Sequence, residues 1–296
     1  MKDLIDLKDK IKLIISDIDG TLLDSKHSMP QVTLDTIREF KSKYPNVPII
    51  LATGKTLFGA KPVLESFNVK TGIFLNGALI LRQDPECVDS QVPGYRVVYE
   101  KHLEPEAVNW LFEMNQQLDL CAVFYSFDTI YTFHTPAKDH WKYIVGLTRF
   151  HEPLAVPVED IPDFKANVQQ GSRRIQKFIL MADPSRIDAL KIQIENLPGF
   201  PKGMQLVKTQ PEMLEAMPID MNKSSAIQAF CRNESVKLDN VLAFGDGMND
   251  LEMLRDVGFG VRMGNCVKEL ERVTKYSTSS SDQAGVAHFL SRIYDI

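Results

Sequence analysis

The stretch IKLIISDIDGT, residues 11–21, decides the fold because it joins an apolar run to two closely spaced carboxylates. The run Ile11–Ile15 predicts a strand covered on both faces, as in a parallel sheet. Ligands of open α/β sheets bind outside the carboxyl ends of such strands, so we expect Asp17 and Asp19 to point at a ligand site. Because Asp19-Gly20 is also a common turn signal, this interpretation needs support from the rest of the chain.

Two regions of the chain alternate strand-like runs with helical segments, the pattern of a parallel sheet. The predicted strands are residues 11–15, 47–52, 241–244 and 259–262. The predicted helices are residues 31–44, 57–67, 224–231 and 250–256. We therefore predict a doubly wound, Rossmann-like α/β core that is divided in two along the chain.

The region between the two halves has a different pattern and predicts an inserted α+β domain. Its predicted strands are residues 95–100, 121–125, 130–134, 175–182 and 204–207, with helices at 105–118 and 185–197. Its ends are expected near residues 82–94, which are rich in polar and proline residues, and near residues 203–219. The predicted division is 1–83 for the first part of the core, 84–207 for the insert and 208–296 for the second part of the core.

The composition is that of an ordinary globular protein large enough for two domains. The chain has 296 residues, of which 44% are hydrophobic and 25% charged, and its formal net charge is -5. This charge argues against nucleic acid or an anionic membrane as the main partner. The four cysteines are scattered without a CxxC pair, and no stretch has the length and apolarity of a signal peptide or a membrane span. We expect a cytoplasmic protein.

Polar residues follow three of the predicted core strands at the point where each strand ends. Asp17 and Asp19 follow the first strand, Thr53-Gly54 the second, and Asp246 the strand at 241–244. The carboxyl ends of parallel strands lie at one edge of a sheet, so these residues are expected to converge there.

The sequence GDGMND, residues 245–250, adds a fourth acid, Asp250, to this group. Four acids in one crevice repel each other unless a cation neutralises them. Carboxylate and carbonyl oxygens without histidine or thiolate ligands select a hard ion, and Mg²⁺ also bridges to phosphate oxygens. The sequence therefore predicts Mg²⁺ as the cofactor.

Lys223 precedes the helix predicted from Ser224. A phosphate at this place would meet a point charge and a helix N-terminus. Taken alone, a lysine in this position is more often a solvated surface charge.

Together these elements resemble the haloacid dehalogenase (HAD) superfamily of phosphohydrolases over the whole chain. The motifs of that superfamily are matched in order by Asp17 to Thr21, Thr53, Lys223 and Gly245 to Asp250. The insert, with Asn76-Gly77-Ala78 and Met263-Gly264-Asn265, resembles the Cof-type branch with a class II (IIB) α/β cap.

The resemblance implies a role for each motif residue. Asp17 would be the nucleophile and Asp19 the general acid and base. Thr53, Gly54, Lys223 and Asn249 would bind the phosphate. Mg²⁺ would be held by Asp17, Asp19 through its backbone carbonyl and Asp246, with Asp250 orienting a bound water.

The implied function is a Mg²⁺-dependent phosphatase that hydrolyses a small phosphorylated metabolite such as a sugar phosphate through an aspartyl-phosphate. A phosphomutase with the same core and a non-catalytic phosphometabolite-binding protein are the alternatives. We expect no nucleic-acid or membrane partner, and a monomer or weak homodimer.

Three further places have two interpretations each. Lys55 stands where many relatives carry arginine, and a solvated loop lysine is the simpler interpretation. Asn76-Gly77 is favoured as a two-residue hairpin turn over a substrate contact. Arg173, Arg174 and Lys177 could receive an anionic substrate, although a solvated strand edge is favoured.

Overall fold

A computed structural model of the chain describes residues 7–88, 90–118, 120–133 and 138–296. The chain forms two compact units. The first contains Met1–Gly54, Ala60–Tyr99 and Asn222–Ile296, and the second contains Lys55–Gly59 and Glu100–Met221. The predicted α/β fold class, a doubly wound core with an inserted α+β domain, is confirmed.

The described strands are numbered in chain order: β1 Leu13–Ser16, β2 Ile49–Ala52, β3 Thr71–Phe74, β4 Leu79–Gln83, β5 Tyr95–Glu100, β6 Cys121–Ser126, β7 Thr129–Thr132, β8 Val156–Pro157, β9 Lys177–Met181, β10 Met204–Gln210, β11 Met213–Pro218, β12 Val241–Gly245, β13 Phe259–Arg262 and β14 Tyr276–Ser277. The described α-helices are α1 Gln31–Lys43, α2 Leu57–Ser66, α3 Pro105–Leu118, α4 Lys138–Gly146, α5 Phe164–Gln169, α6 Ile187–Glu195, α7 Lys223–Asn233, α8 Leu251–Asp256 and α9 Gly285–Ile293. No helix in these described ranges combines the length and apolarity needed to cross a membrane.

The first unit is built on an eight-stranded sheet in the order β14-β13-β12-β1-β2-β3-β4-β5. The strands from β14 to β3 pair in parallel, and β4 pairs antiparallel with β3. All four residues of β1 are buried, as its apolar run predicts for a strand covered on both faces. Leu13 and Ile15 lie in one core cluster with Ile227 and Phe230 of α7.

The order of the central strands decides where the motif residues lie. Strand β1 lies between β12 and β2, and Ser16 is in register with both Phe244 and Leu51. Asp17, Thr53 and Asp246 follow these three strands, so they emerge at the same edge of the sheet.

The second unit is built on a six-stranded sheet in the order β10-β11-β9-β6-β7-β8. Its pairings are antiparallel except for that between β7 and β8. Phe124, Phe178 and Leu180 of the sheet pack with Phe112 of α3 and Ile187 of α6 in one apolar core.

The boundaries of the two units differ from the predicted division 1–83, 84–207 and 208–296. Strand β5, predicted for the insert, belongs to the sheet of the first unit, because residues 84–94 connect neighbouring strands β4 and β5. Strand β11 lies beyond the predicted end of the insert at residue 207, but it pairs with β9 and β10 of the second unit's sheet. The predicted strand 130–134 ends at Thr132, and its last residue, His134, lies outside the described residues.

Strand β9 is not the solvated edge strand that was favoured for residues 173–177. It lies inside the sheet between β11 and β6, so the expectation of a solvated edge is wrong for Lys177. Lys177 is buried, with Nζ 3.3 Å from the Glu215 carboxylate and 4.6 Å from the centre of the Tyr125 ring.

Candidate active site

A buried lysine joins two aspartates at the carboxyl edge of the first unit's sheet. Lys223 Nζ donates to Asp17 Oδ1 and to Asp250 Oδ1, each at 2.6 Å. Lys223 and Asp250 are both 0% exposed, and Asp17 is 6% exposed. The simpler interpretation of Lys223 as a solvated surface charge is therefore wrong.

The start of helix α7 places this lysine. Asn222 is the N-cap: its side chain accepts from the backbone N–H of Ser225, and the Ser225 hydroxyl accepts from the backbone N–H of Asn222. This reciprocal capping box fixes the first turn. Gly77 has φ +101° and packs so closely that a Cβ there would lie 2.1 Å from the carbonyl oxygen of Asn222. Lys223 is thus held on a rigid helix start.

The loop after β12 is organised around the Asp250 carboxylate. Oδ2 of Asp250 accepts from the backbone N–H groups of Asp246 and Gly247, both at 3.0 Å. A Cβ on Gly245 would lie 2.6 Å from Asp250 Cβ. Lys223 donates to Oδ1, so both oxygens of Asp250 accept hydrogen bonds. The carboxylate thereby orients the Lys223 side chain and the backbone of Asp246 and Gly247.

Three carboxylates and one ammonium share this place. Each of the carboxylates of Asp17, Asp246 and Asp250 has an oxygen that lies within 4.8 Å of an oxygen of the other two. Burial, opposed by Lys223 and reinforced by Asp250, raises the pKa of Asp17 well above its usual range. Burial and the Asp250 charge raise the pKa of Asp246 to about 6. The excess of negative charge makes the cluster suited to a cation.

The pKa of Lys223 changes in the opposite sense to that of a typical buried lysine. Burial alone would lower this pKa, but Asp17 and Asp250 together raise it above the ordinary lysine value. The ammonium therefore stays charged.

Two side-chain donors contact the Asp246 carboxylate. Thr21 Oγ1 donates to Asp246 Oδ1 at 2.9 Å. Asn265 Nδ2 donates to the carbonyl oxygen of Gly20 at 2.8 Å and lies 3.4 Å from Asp246 Oδ2. Gly20 has φ +74°, and a Cβ there would lie 2.3 Å from Asp246 Oδ2, so glycine is required.

Asp19 is not one of the three grouped carboxylates, but its charge also contributes to the raised pKa of Asp246. The Asp19 carboxylate is 3.4 Å from His27 Nδ1, and its side chain is one-third exposed. A carboxyl group in this setting is accessible to solvent and to a ligand.

Thr53 and Gly54 are linked to the loop after β12 through Asn76. Thr53 donates its N–H to Ile73 and accepts from the N–H of Asn76 at 3.0 Å. The Asn76 side chain then accepts from Asn249 Nδ2 at 3.0 Å. A Cβ on Gly54 would lie 3.0 Å from Asn76 Oδ1, a close approach that favours glycine.

The hairpin predicted at Asn76-Gly77 exists, but its turn is longer than two residues. Strands β3 and β4 pair antiparallel around Leu75–Ala78, where Leu75 and Asn76 have φ of +52° and +56°. The wider turn directs Asn76 to Asn249, a contact that the two-residue interpretation did not include.

The simpler interpretation of Lys55 as a solvated loop lysine is wrong. Its side chain is 5% exposed and belongs to the second unit. Sequence reasoning also missed the contacts of His27 and Thr21. Thr21 lies within the first motif, whereas no sequence signal indicated His27.

The comparison with protein families supports the motif assignment. The model for haloacid dehalogenase-like hydrolases matches residues 14–290. The chain belongs to this family. The family recognised from the sequence is therefore confirmed.

Proteins named as hydrolases or phosphatases match almost the whole chain. An uncharacterized hydrolase of Schizosaccharomyces pombe is 28% identical over 297 residues, covering 97% of this chain and 92% of the relative. The phosphatase YwpJ of Bacillus subtilis is 25% identical, covering 96% of this chain and 100% of the relative.

Solved HAD structures have the same fold. A haloacid dehalogenase-like hydrolase from Bacteroides thetaiotaomicron has a TM-score of 0.79 at 23% identity, covering 96% of this chain and 100% of its own. A structure described as a HAD subclass IIB sugar phosphatase has a TM-score of 0.71 at 20% identity, covering 95% and 98%.

Proposed function

We propose that this HAD-like hydrolase is a Mg²⁺-dependent phosphatase that acts on a small phosphorylated metabolite through an aspartyl-phosphate. The observation that carries the proposal is the buried Asp17 carboxylate, which faces Lys223 at 2.6 Å within a group of three carboxylates. A phosphoryl group and its cation need this combination of a nucleophile, a fixed positive charge and anionic ligands.

Asp17 is the proposed nucleophile. Its carboxylate attacks phosphorus and displaces the leaving oxygen, and water later releases phosphate from the acyl phosphate. The ammonium of Lys223 favours the ionised form of Asp17 that this attack requires.

Asp19 is the proposed general acid and base. Its one-third exposed carboxyl group would protonate the leaving oxygen in the first step and take a proton from the attacking water in the second. His27 Nδ1, 3.4 Å away, is placed to orient this carboxyl group.

Four residues are proposed to bind the oxygens of the phosphoryl group that do not react. Lys223 supplies a charge, Thr53 a hydroxyl, Gly54 a backbone N–H and Asn249 an amide. The hydrogen bonds through Asn76 join the Thr53 loop to Asn249, which supports a common role for the two segments.

The residues present fit Mg²⁺. The cluster offers carboxylate oxygens, with no histidine or cysteine in the group of three, and its net charge is negative. Asp17, Asp246 and the backbone carbonyl of Asp19 would hold the ion, and Asp250 would orient a bound water. When bound, Mg²⁺ would neutralise the carboxylates and stabilise charge on the phosphoryl oxygens.

A sugar phosphate is the proposed substrate class. The support is the fold shared with the solved structure described as a HAD subclass IIB sugar phosphatase. We also propose a cytoplasmic monomer or weak homodimer without nucleic-acid or membrane partners, in keeping with the net charge of -5.

The test is phosphate release from a panel of phosphorylated sugars and other metabolites, with Mg²⁺ or EDTA, by wild type and Asp17→Asn. We expect Mg²⁺-dependent release that Asp17→Asn abolishes while the circular dichroism spectrum is unchanged. Transfer of phosphate within the substrate instead of release would indicate a phosphomutase. Binding of phosphorylated compounds without turnover would indicate a non-catalytic binding protein.

A further inference from the structure

The turn between β3 and β4 contains three consecutive residues with left-handed backbone. Leu75, Asn76 and Gly77 have φ of +52°, +56° and +101°. Asparagine and glycine tolerate this region, but a bulky residue such as leucine rarely adopts it. Leu75 is 0% exposed, so packing holds it in this conformation. Strained backbone of this kind persists only where its surroundings fix it, and it is concentrated at functional sites.

The backbone of this turn is bonded to the residue that follows strand β2. The N–H of Asn76 donates to the carbonyl oxygen of Thr53 at 3.0 Å, and the N–H of Thr53 donates to the carbonyl oxygen of Ile73 at 2.9 Å. The Asn76 amide also lies over Gly54, because a Cβ there would be 3.0 Å from Oδ1 and 3.3 Å from Nδ2. The turn thus holds both of the residues after β2 that are proposed to bind phosphate.

The side chain of Asn76 extends to the loop after β12, 173 positions away in the chain. Asn249 Nδ2 donates to Asn76 Oδ1 at 3.0 Å. The Asp250 carboxylate fixes the backbone of this loop through the N–H groups of Asp246 and Gly247. The bond to Asn76 fixes the Asn249 side chain itself.

The last residue of the turn packs against the start of helix α7. A Cβ on Gly77 would lie 2.1 Å from the carbonyl oxygen of Asn222 and 3.1 Å from the backbone nitrogen of Lys223. Glycine allows this close approach and also the φ of +101°. The turn therefore contacts the backbone that carries the buried lysine.

These contacts all lie within the first unit. One short turn contacts the end of β2, the start of α7 and the loop after β12. Because these three segments are distant in the chain, contacts across the fold must set their spacing. Hydrogen-bond donors stabilise developing charge best when their spacing is fixed before the reaction. The segments carry the four residues proposed to bind the phosphoryl oxygens, Thr53, Gly54, Lys223 and Asn249.

We infer that Asn76, on its left-handed turn, is a positioning residue for these four phosphate-binding residues. It acts through Thr53, Gly54 and Asn249 and touches no reacting atom. This inference rests on the proposed phosphatase function for its kinetic consequence. The hold of Asn76 on its neighbours is a property of the first unit and is measurable without turnover.

The test uses Asn76→Gly, which removes the side chain but keeps a residue that tolerates left-handed backbone. Asn68→Gly is the matched control. Asn68 has φ +52° and precedes β3, at the opposite end of that strand from Asn76. Both variants add similar freedom to the unfolded chain, so their losses of stability should be alike. The double variant Asn76→Gly/Asn249→Ala tests whether the two amides act together.

Two kinds of readout are needed. Hydrogen–deuterium exchange of peptides spanning residues 49–54 and 246–252 reports the hold itself. Orthovanadate affinity and kcat/KM, measured on folded protein with saturating Mg²⁺, report its effect on phosphoryl binding. We expect faster exchange and about a 10- to 100-fold loss of vanadate affinity and kcat/KM for Asn76→Gly, with Asn68→Gly near wild type. The loss in the double variant should be smaller than the product of the two single losses.

The outcomes separate this inference from the proposed function. Unchanged exchange of both peptides in Asn76→Gly overturns the inference, whether or not the wild type is a phosphatase. Faster exchange with unchanged vanadate affinity and kcat/KM, equal losses in Asn68→Gly, or independent losses in the double variant overturn the positioning role. Absence of wild-type turnover on every substrate counts against the proposed function, and exchange and vanadate affinity still decide the inference.

Discussion

Lys223 and Asp17 are separated by 206 positions in the chain, yet their charged groups lie 2.6 Å apart with the lysine fully buried. An ion pair of this kind has paid a large desolvation cost, so removing one partner is costly. The pair therefore links the stability of the first unit to the integrity of the site.

We expect Lys223→Met to lower the free energy of unfolding by about 3–5 kcal/mol, because it leaves the carboxylates of Asp17 and Asp250 buried without their common partner. Urea denaturation in EDTA measures this change. Lys208→Met is the control: its ion pair with Asp188 is solvent-exposed, so its loss is expected to cost less than about 1 kcal/mol. Similar losses in the two variants would contradict the prediction.

Gly20→Ala is expected to abolish most activity because the new Cβ would overlap the Asp246 carboxylate. Gly94→Ala provides a matched control: Gly94 has φ +81°, similar to the +74° of Gly20, but within the described part of the chain no heavy atom outside its immediate neighbours lies within 4 Å of its would-be Cβ. Both variants carry the backbone strain of about 1–2 kcal/mol. Urea denaturation should show a similar loss of stability in both variants. The value of kcat/KM should fall in Gly20→Ala alone.

Asn265→Asp is expected to weaken Mg²⁺ activation, because it replaces the amide that donates to Gly20 with a second carboxylate beside Asp246. The measurement is the Mg²⁺ concentration that gives half-maximal activity. Asn240→Asp also removes an amide donor to a backbone carbonyl, that of Lys10, at the opposite end of β12. A comparable effect of Asn240→Asp would show that the change at Asn265 is not local.

Mg²⁺ is expected to stabilise the protein more at pH 7 than at pH 5. The pKa of Asp246 is about 6 in the folded state and about 3.9 in the unfolded chain. Between pH 4 and pH 6, roughly, the metal-free folded state therefore binds more protons than the unfolded state. Its free energy of unfolding falls as the pH rises through this range. Mg²⁺ competes with these protons, and its binding strengthens as they leave.

The thermal shift between EDTA and Mg²⁺ at a series of pH values measures this effect. Asp246→Asn should reduce the shift and remove much of its pH dependence. A shift in wild type that is the same from pH 5 to pH 7 would disprove the linkage.

The core of the fold was predictable because its strands have strong local signals. The run Ile11–Ile15 is apolar on both faces, and β13 was predicted with its observed bounds, Phe259–Arg262. The motif residues Asp17 and Asp246 could be placed at one edge because parallel strands end together.

The features that no local pattern decides depend on partners distant in sequence. Lys223 looks like a surface charge until Asp17 and Asp250 are placed beside it. Strand β11 contains Glu215, whose burial makes sense only with Lys177 opposite it. No local pattern could indicate that the Glu152 carboxylate accepts from the N–H and the hydroxyl of Thr56, 96 positions away in the chain.

The strand order has a consequence for the order of events during synthesis. Strand β1 is made first, but its neighbour β12 follows only at Val241–Gly245, after all six strands of the second unit have been translated. The nascent chain can thus close the sheet of the insert while β1 still has an unpaired edge. Productive folding in the cell then depends on shielding this apolar strand until the last fifth of the polypeptide leaves the ribosome.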